Sequence, residues 1–174
     1  MPGGLVMNKF KEIKPQELTN NPFKMIGHDW MLISAKKDDK VNTMTASWGG
    51  VGIMWNKNVA TIYIRPQRYT KEFVDNSDSF SITVLEDGFK KELSYLGTVS
   101  GRDEDKIAKS GLTVAEEDGV PYFDEGKVVL ICKKLYAQEM NADSFVEKDL
   151  IDKNYPASDF HIMYIGEITK VLIK

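Results

Sequence analysis

Short runs of alternating apolar and polar residues recur along most of the chain, separated by clusters of glycine, proline and charge. Residues 29–35, rich in Trp, Met, Leu and Ile, and residues 41–48 read as two strands joined by a polar turn of Lys36, Lys37, Asp38, Asp39 and Lys40. Gly49, Gly50 and Gly52 follow at once and read as a glycine-rich turn. Residues 59–65 alternate as a third strand, closed where Pro66 removes an amide donor. Thr70 is placed to cap a short helix over residues 71–76, with Glu72 in its first turn.

Residues 80–85 form another strand, after which Phe89, Leu93 and Leu96 recur at helical spacing and Gly97 is expected to stop that helix. A further short helix reaches Lys109 and ends at Ser110 and Gly111. The late strands are residues 121–123, 127–139 and 160–173. The last two are long enough to bend around a barrel, and Gly166 marks a bulge or a close backbone approach. Residues 141–158 make a polar excursion between them. Residues 11–23, with Pro15 and Pro22, read as an arm entering the domain. Strands that dominate, with a few short helices interspersed, predict a closed or partly closed β-barrel.

Composition narrows the picture. A chain of 174 residues buries one good core, and it reads as an arm over residues 1–20 followed by a single domain over 21–174. Residues 1–6 are set aside as a cloning remnant or an upstream start, with Met7 as a natural beginning. A net charge of -3 gives no basic field for nucleic acid, and no apolar run approaches the roughly 18 residues of a membrane span. The single cysteine, Cys132, excludes an internal disulfide and is expected to pack as a small hydrophobe. Only two histidines occur, His28 and His161, so no metal centre is expected. Cytoplasmic residence is the remaining expectation.

The chemistry concentrates in residues 42–70. Thr45, Ala46 and Ser47 offer little apolar volume but leave strand amides and carbonyls open to the polar edge of a flat ring. Arg65, Pro66, Gln67, Arg68, Tyr69 and Thr70 then bring two guanidinium groups, a hydroxyl and a helix start to one point, a set suited to a phosphate monoester. Asp103, Glu104 and Asp105 read as a solvated helix start.

Four segments in order resemble the flavin reductase-like family of FMN-binding split barrels, flavoredoxins included. They are residues 42–48, residues 65–70, residues 100–106 with Ser100, Gly101 and Lys106, and residues 161–168 opening at His161. The resemblance runs over residues 21–174. It implies a mainly β, Greek-key-like split barrel with short helices, assembled as a homodimer with non-covalent FMN near the subunit interface. Asn42, Met44, Thr45, Ala46, Ser47 and Trp48 would then line the flavin ring, and Arg65, Arg68, Tyr69 and Thr70 the phosphate. Ser100, Gly101 and Lys106 would close the site, with Lys106 a charge near the phosphate or the reduced ring, and His161 would stand where nicotinamide stacks. The implied activity is an NAD(P)H-dependent flavin reductase that passes hydride to flavin N5 and electrons onward to free flavin, oxygen or a protein acceptor. The alternatives are a flavoredoxin-like electron carrier and a pyridoxamine-phosphate-oxidase-like or other planar-ligand protein, such as one for haem. No dinucleotide fingerprint separates NADH from NADPH.

Overall fold

The alternating segments pair antiparallel in the computed structural model, which describes residues 10–174; the reading of residues 1–6 and of Met7 lies outside the described residues. The arm contributes β1 (Lys11–Ile13) and α1 (Pro22–Lys24), where Asn21 accepts hydrogen bonds from the Phe23 and Lys24 amides; a π-helical turn, Met25–Asp29, follows. β2 (Met31–Lys37) and β3 (Lys40–Ala46) are joined by Asp38 and Asp39, both at positive φ, as a two-residue hairpin on right-twisted strands requires. β4 (Gly49–Met54) and β5 (Lys57–Ile64) use Trp55 and Asn56 in the same way.

Gly49, Gly50 and Gly52 therefore belong to a strand, not to the expected turn. A Cβ at Gly49 would lie 2.9 Å from the Thr61 carbonyl oxygen and 3.1 Å from Met31 Cε, so close packing explains the glycine there. α2 (Tyr69–Asp75) starts before Thr70, with Arg68 at the N-cap, so Thr70 is not the cap that local pattern predicts. After β6 (Ser79–Leu85), α3 (Lys90–Thr98) runs through Gly97, which a Cβ would bring to 3.0 Å from Thr45 Cβ. The expected stop at Gly97 is thus corrected to Val99. α4 (Lys106–Ser110) is capped by Asp105 and closed by left-handed Gly111, as the sequence predicts.

β7 (Val114–Glu117), absent from the sequence reading, pairs with β8 (Val120–Phe123) in a separate hairpin. β9 (Gly126–Glu139), α5 (Asp149–Asn154) inside the polar excursion, and β10 (Ile162–Ile173) complete the chain. The main sheet runs β3-β2-β6-β9-β10-β5-β4, with β1 beside the far half of β10. Its two end strands are consecutive in sequence and joined only by Ser47 and Trp48. The barrel is split at that crossing.

Both faces of the sheet are covered, which is why β2 is buried at successive positions. Ile33 and Met44 join Ile62, Phe80 and Tyr164 inside the barrel, where α2 contributes Phe73 and Val74. On the other face Leu32 packs with Leu85, Leu93, Leu96 and Phe123 beneath α3. β10 changes register between Ile165 and Gly166, where a Cβ would stand 2.7 Å from Phe80 Cζ; bulge and close approach coincide there. Cys132 is fully buried in β9, and burial pushes its thiol far above the ordinary range. No described helix is long and apolar enough to cross a membrane.

Candidate functional site

The register of β4 on β5 builds the site. The β4–β5 ladder ends where Gly49 opposes Ile62, and just past that end Ala46, at the close of β3, and Arg65, after β5, border one hollow. Two adjoining hollows open at this crossing and share Ser47, Trp48, Tyr63 and His161. The smaller, about 210 Å³, is completed by Met44, Thr45, Ala46, Arg65 and Arg68. The larger, about 580 Å³, reaches Ile26, Gly50, Met140 and Tyr155. The structure thus joins the small-residue strand end to both arginines, as the sequence reading expected.

The two arginines differ in their partners. Arg65 donates through Nη1 to Asp159 Oδ2 at 3.1 Å and through Nη2 to the Asn154 carbonyl at 3.0 Å, with its guanidinium 4.9 Å over the Tyr155 ring. Arg68 donates to the Gly97 carbonyl at 2.8 Å, and Lys106 Nζ to the Leu96 and Val99 carbonyls at 2.8 and 2.9 Å. Two cations therefore hold the carbonyl end of α3, where a helix favours positive charge. Among the described residues, neither has a carboxylate in hydrogen-bond or ion-pair contact. Burial first, and Arg65 second, lowers the Arg68 pKa; burial and Arg68 bring Lys106 down to about 8. The site carries positive charge that its own acids do not neutralise.

The remaining expected residues lie behind this wall. Asn42 is buried and donates through Nδ2 to Thr70 Oγ1 at 2.9 Å. Gly101 presses on the pair, since a Cβ there would meet Asn42 Oδ1 at 2.3 Å and Tyr69 Cδ2 at 3.2 Å. Asn42, Gly101 and Lys106 border a separate hollow of about 460 Å³. Tyr69 meets Phe73 edge-on at 4.9 Å and lies under Arg102 at 4.7 Å, while Ser100 Oγ accepts from the Arg102 amide at 3.1 Å. Thr45 Oγ1 donates to the Leu93 carbonyl at 2.5 Å, tying β3 to α3.

His161 directly precedes β10, is buried, and has Nδ1 2.6 Å from Tyr155 Oη. Its ring centroid is 5.3 Å from that of Trp48, which is half exposed, and 6.4 Å from that of Tyr63. Burial, then Arg65, lowers its pKa to about 4, so the imidazole is neutral at pH 7. Sequence reasoning missed Tyr63, Ile26 and Met140. Tyr63 was within reach, because period two along β5 puts it on the face of Arg65.

Residues 24–174 match the family described as Flavin reductase like domain. An FMN-binding domain of a flavin reductases-like enzyme from Shewanella baltica superposes with a TM-score of 0.71 at 19% identity, over 97% of this chain and 78% of that one. A flavoredoxin from Methanosarcina acetivorans gives 0.67 at 23% identity, over 94% and 76%. An uncharacterized protein from Archaeoglobus fulgidus is 27% identical over 135 residues, which are 76% of this chain but 66% of that relative, just under two thirds of its length.

Proposed function

The chain belongs to the flavin reductase-like domain family, and from that premise we propose that it binds FMN at the β3–β4 crossing and works as an NAD(P)H-dependent flavin reductase. The observation that carries this reading is the junction of an open strand end, Thr45 to Trp48, with Arg68, a half-buried cation that meets no carboxylate among the described residues. The donor set fits the group. Ala46 and Ser47 leave room for a flat ring at the strand backbone, Trp48 and Tyr63 supply aromatic walls, and Arg65 and Arg68 supply charge for a phosphate. Asn42, Thr70 and Gly101 support the wall from behind, and Lys106 reinforces Arg68 through the shared end of α3.

Bound FMN supplies hydride and single-electron chemistry; the protein orients it and controls access. Arg68 and Lys106 favour an anionic ligand by Coulomb attraction in a partly desolvated site. His161, neutral and oriented by Tyr155, offers a hydrogen bond beside Trp48, where a nicotinamide ring has space to stack. The FMN of each chain of a homodimer would lie near the subunit interface, consistent with a site open between two sheet ends. A carrier of the flavoredoxin kind, with electrons exchanged through a partner protein, is the second reading, because Trp48 leaves the crossing half exposed. Anaerobic addition of NADH and then NADPH to the FMN-loaded protein separates the two. Bleaching of the oxidised flavin band is expected for a reductase, and unbleached bound flavin would assign the carrier role.

A further inference from the structure

The two arginines of the smaller hollow stand in different electrostatic settings. None of the residues that border the hollow is Asp or Glu, and among the described residues Arg68 meets no carboxylate. Arg65 meets one. Asp159 Oδ2 accepts from Arg65 Nη1 at 3.1 Å and from Gln67 Nε2 at 2.9 Å, and about a quarter of the Arg65 and Asp159 side chains is exposed. The Gln67 hydrogen bond first, and Arg65 as a further cause, hold the Asp159 carboxyl below the usual carboxylate range, so the pair is ionised at neutral pH. Partial shelter means that salt screens the pair less than an exposed one.

Arg65 is also where residues 141–160 are fastened. Apart from contacts with Met140 and His161 at the two ends of this segment, its side-chain hydrogen bonds to the rest of the described residues all come from Arg65 and Gln67. The charges of Arg65, Arg68 and Asp159 reach one place. Burial, and after it Arg65 and Arg68, lower the pKa of His161 on the border of the hollow, while Asp159 raises it. We infer that Asp159 is a positioning residue that sets how strongly the crossing prefers a phosphorylated flavin: it fastens Arg65 in a neutral pair, and the free cation left to the hollow is Arg68. This deepens the flavin reading, on which it rests, by dividing the arginines. Arg68 draws the phosphate, and Asp159 limits the charge that Arg65 adds.

The test titrates FMN and riboflavin, which differ by the phosphate, into wild type, Asp159→Asn, Arg65→Gln and the double variant, read by quenching of flavin fluorescence. Asp159→Asn keeps an acceptor for Arg65 and removes the charge, so FMN is expected to bind about fivefold more tightly while riboflavin changes less than about twofold. Arg65→Gln leaves Asp159 uncompensated and is expected to weaken FMN by about as much. In the double variant both charges are gone, and the ratio of FMN to riboflavin affinity is expected to return to within about twofold of wild type. A ratio that Asp159→Asn leaves unchanged, or a double variant as weak for FMN as Arg65→Gln alone, overturns the inference and leaves the flavin reading standing; the second result would mean that Arg65 grips the phosphate itself. Wild type that binds neither flavin overturns that reading, and the inference with it. Asp159→Ser, which also removes the charge, takes the place of Asp159→Asn if that variant fails to fold.

Discussion

Arg68 is half-buried beside Arg65, donates to one backbone carbonyl and borders the smaller hollow. A charge-assisted hydrogen bond to a phosphate is worth about 1.5–3 kcal/mol, so Arg68→Ala is expected to weaken FMN roughly ten- to hundredfold by fluorescence titration. Arg68→Lys should recover part of that, because charge returns without the guanidinium fork. Thr70 behaves differently. Its hydroxyl serves Asn42 inside the protein, so Thr70→Ala leaves a buried amide unpaired and is expected to cost about 1–3 kcal/mol in urea unfolding. Thr70→Ser should retain most of that stability. His161 sets a pH window. Its folded-state pKa of about 4 lies below the ordinary 6.5, so between these values the unfolded chain binds the proton that the folded one refuses. Stability is expected to be complete above about pH 6.5 and to fall as pH drops toward 4; His161→Asn should flatten that part of a urea-midpoint profile.

At the scale of elements, glycine has two uses here, and local pattern reveals only one. Gly111 ends α4 at positive φ, which a residue-level rule finds. Gly49, Gly97 and Gly101 answer to neighbours far away in sequence, namely Thr61, Thr45 and Asn42, so they stand in strand, helix and loop for reasons of proximity. The same holds for Thr70. The turn from Arg65 to Arg68 begins the helix early, and Asn42, 28 residues upstream, claims the hydroxyl. Strand alternation was readable wherever one face is apolar. β4 was not, since its glycines and half-exposed side chains carry no such contrast. Gly166 was legible because it interrupts an otherwise regular strand. Gly166→Ala would press a methyl against Phe80 and Cys132, and an unfolding cost of about 1–3 kcal/mol is expected, against little change for Gly50→Ala, which meets open space.

Across the whole molecule, the site depends on how the sheet ends. Because β3 and β4 are the two ends of the strand order and are joined by Ser47 and Trp48 and not by a ladder of hydrogen bonds, Ala46 to Trp48 border a hollow where the sheet ends meet. Two of the four segments that signalled the candidate site, residues 42–48 and 65–70, lie within 30 residues of one another and meet at the smaller hollow, and that half was legible. Its second half was less so, since Ile26 comes from the π-helical turn, Met140 from just past β9 and Tyr155 from the polar excursion. Sedimentation velocity is expected to give one species at twice the mass of the chain, with the exposed Ile53, Met54 and Trp55 of the β4–β5 hairpin available to a second copy. The most direct measurement on the flavin site is an FMN titration of wild type and Arg68→Ala at equal concentration, read by quenching of flavin fluorescence. Saturable binding of one FMN per chain, weakened at least about tenfold by the substitution, is the expected result. Equal affinity in the two proteins, or no quenching in either, would contradict an FMN phosphate held by Arg68 at the β3–β4 crossing.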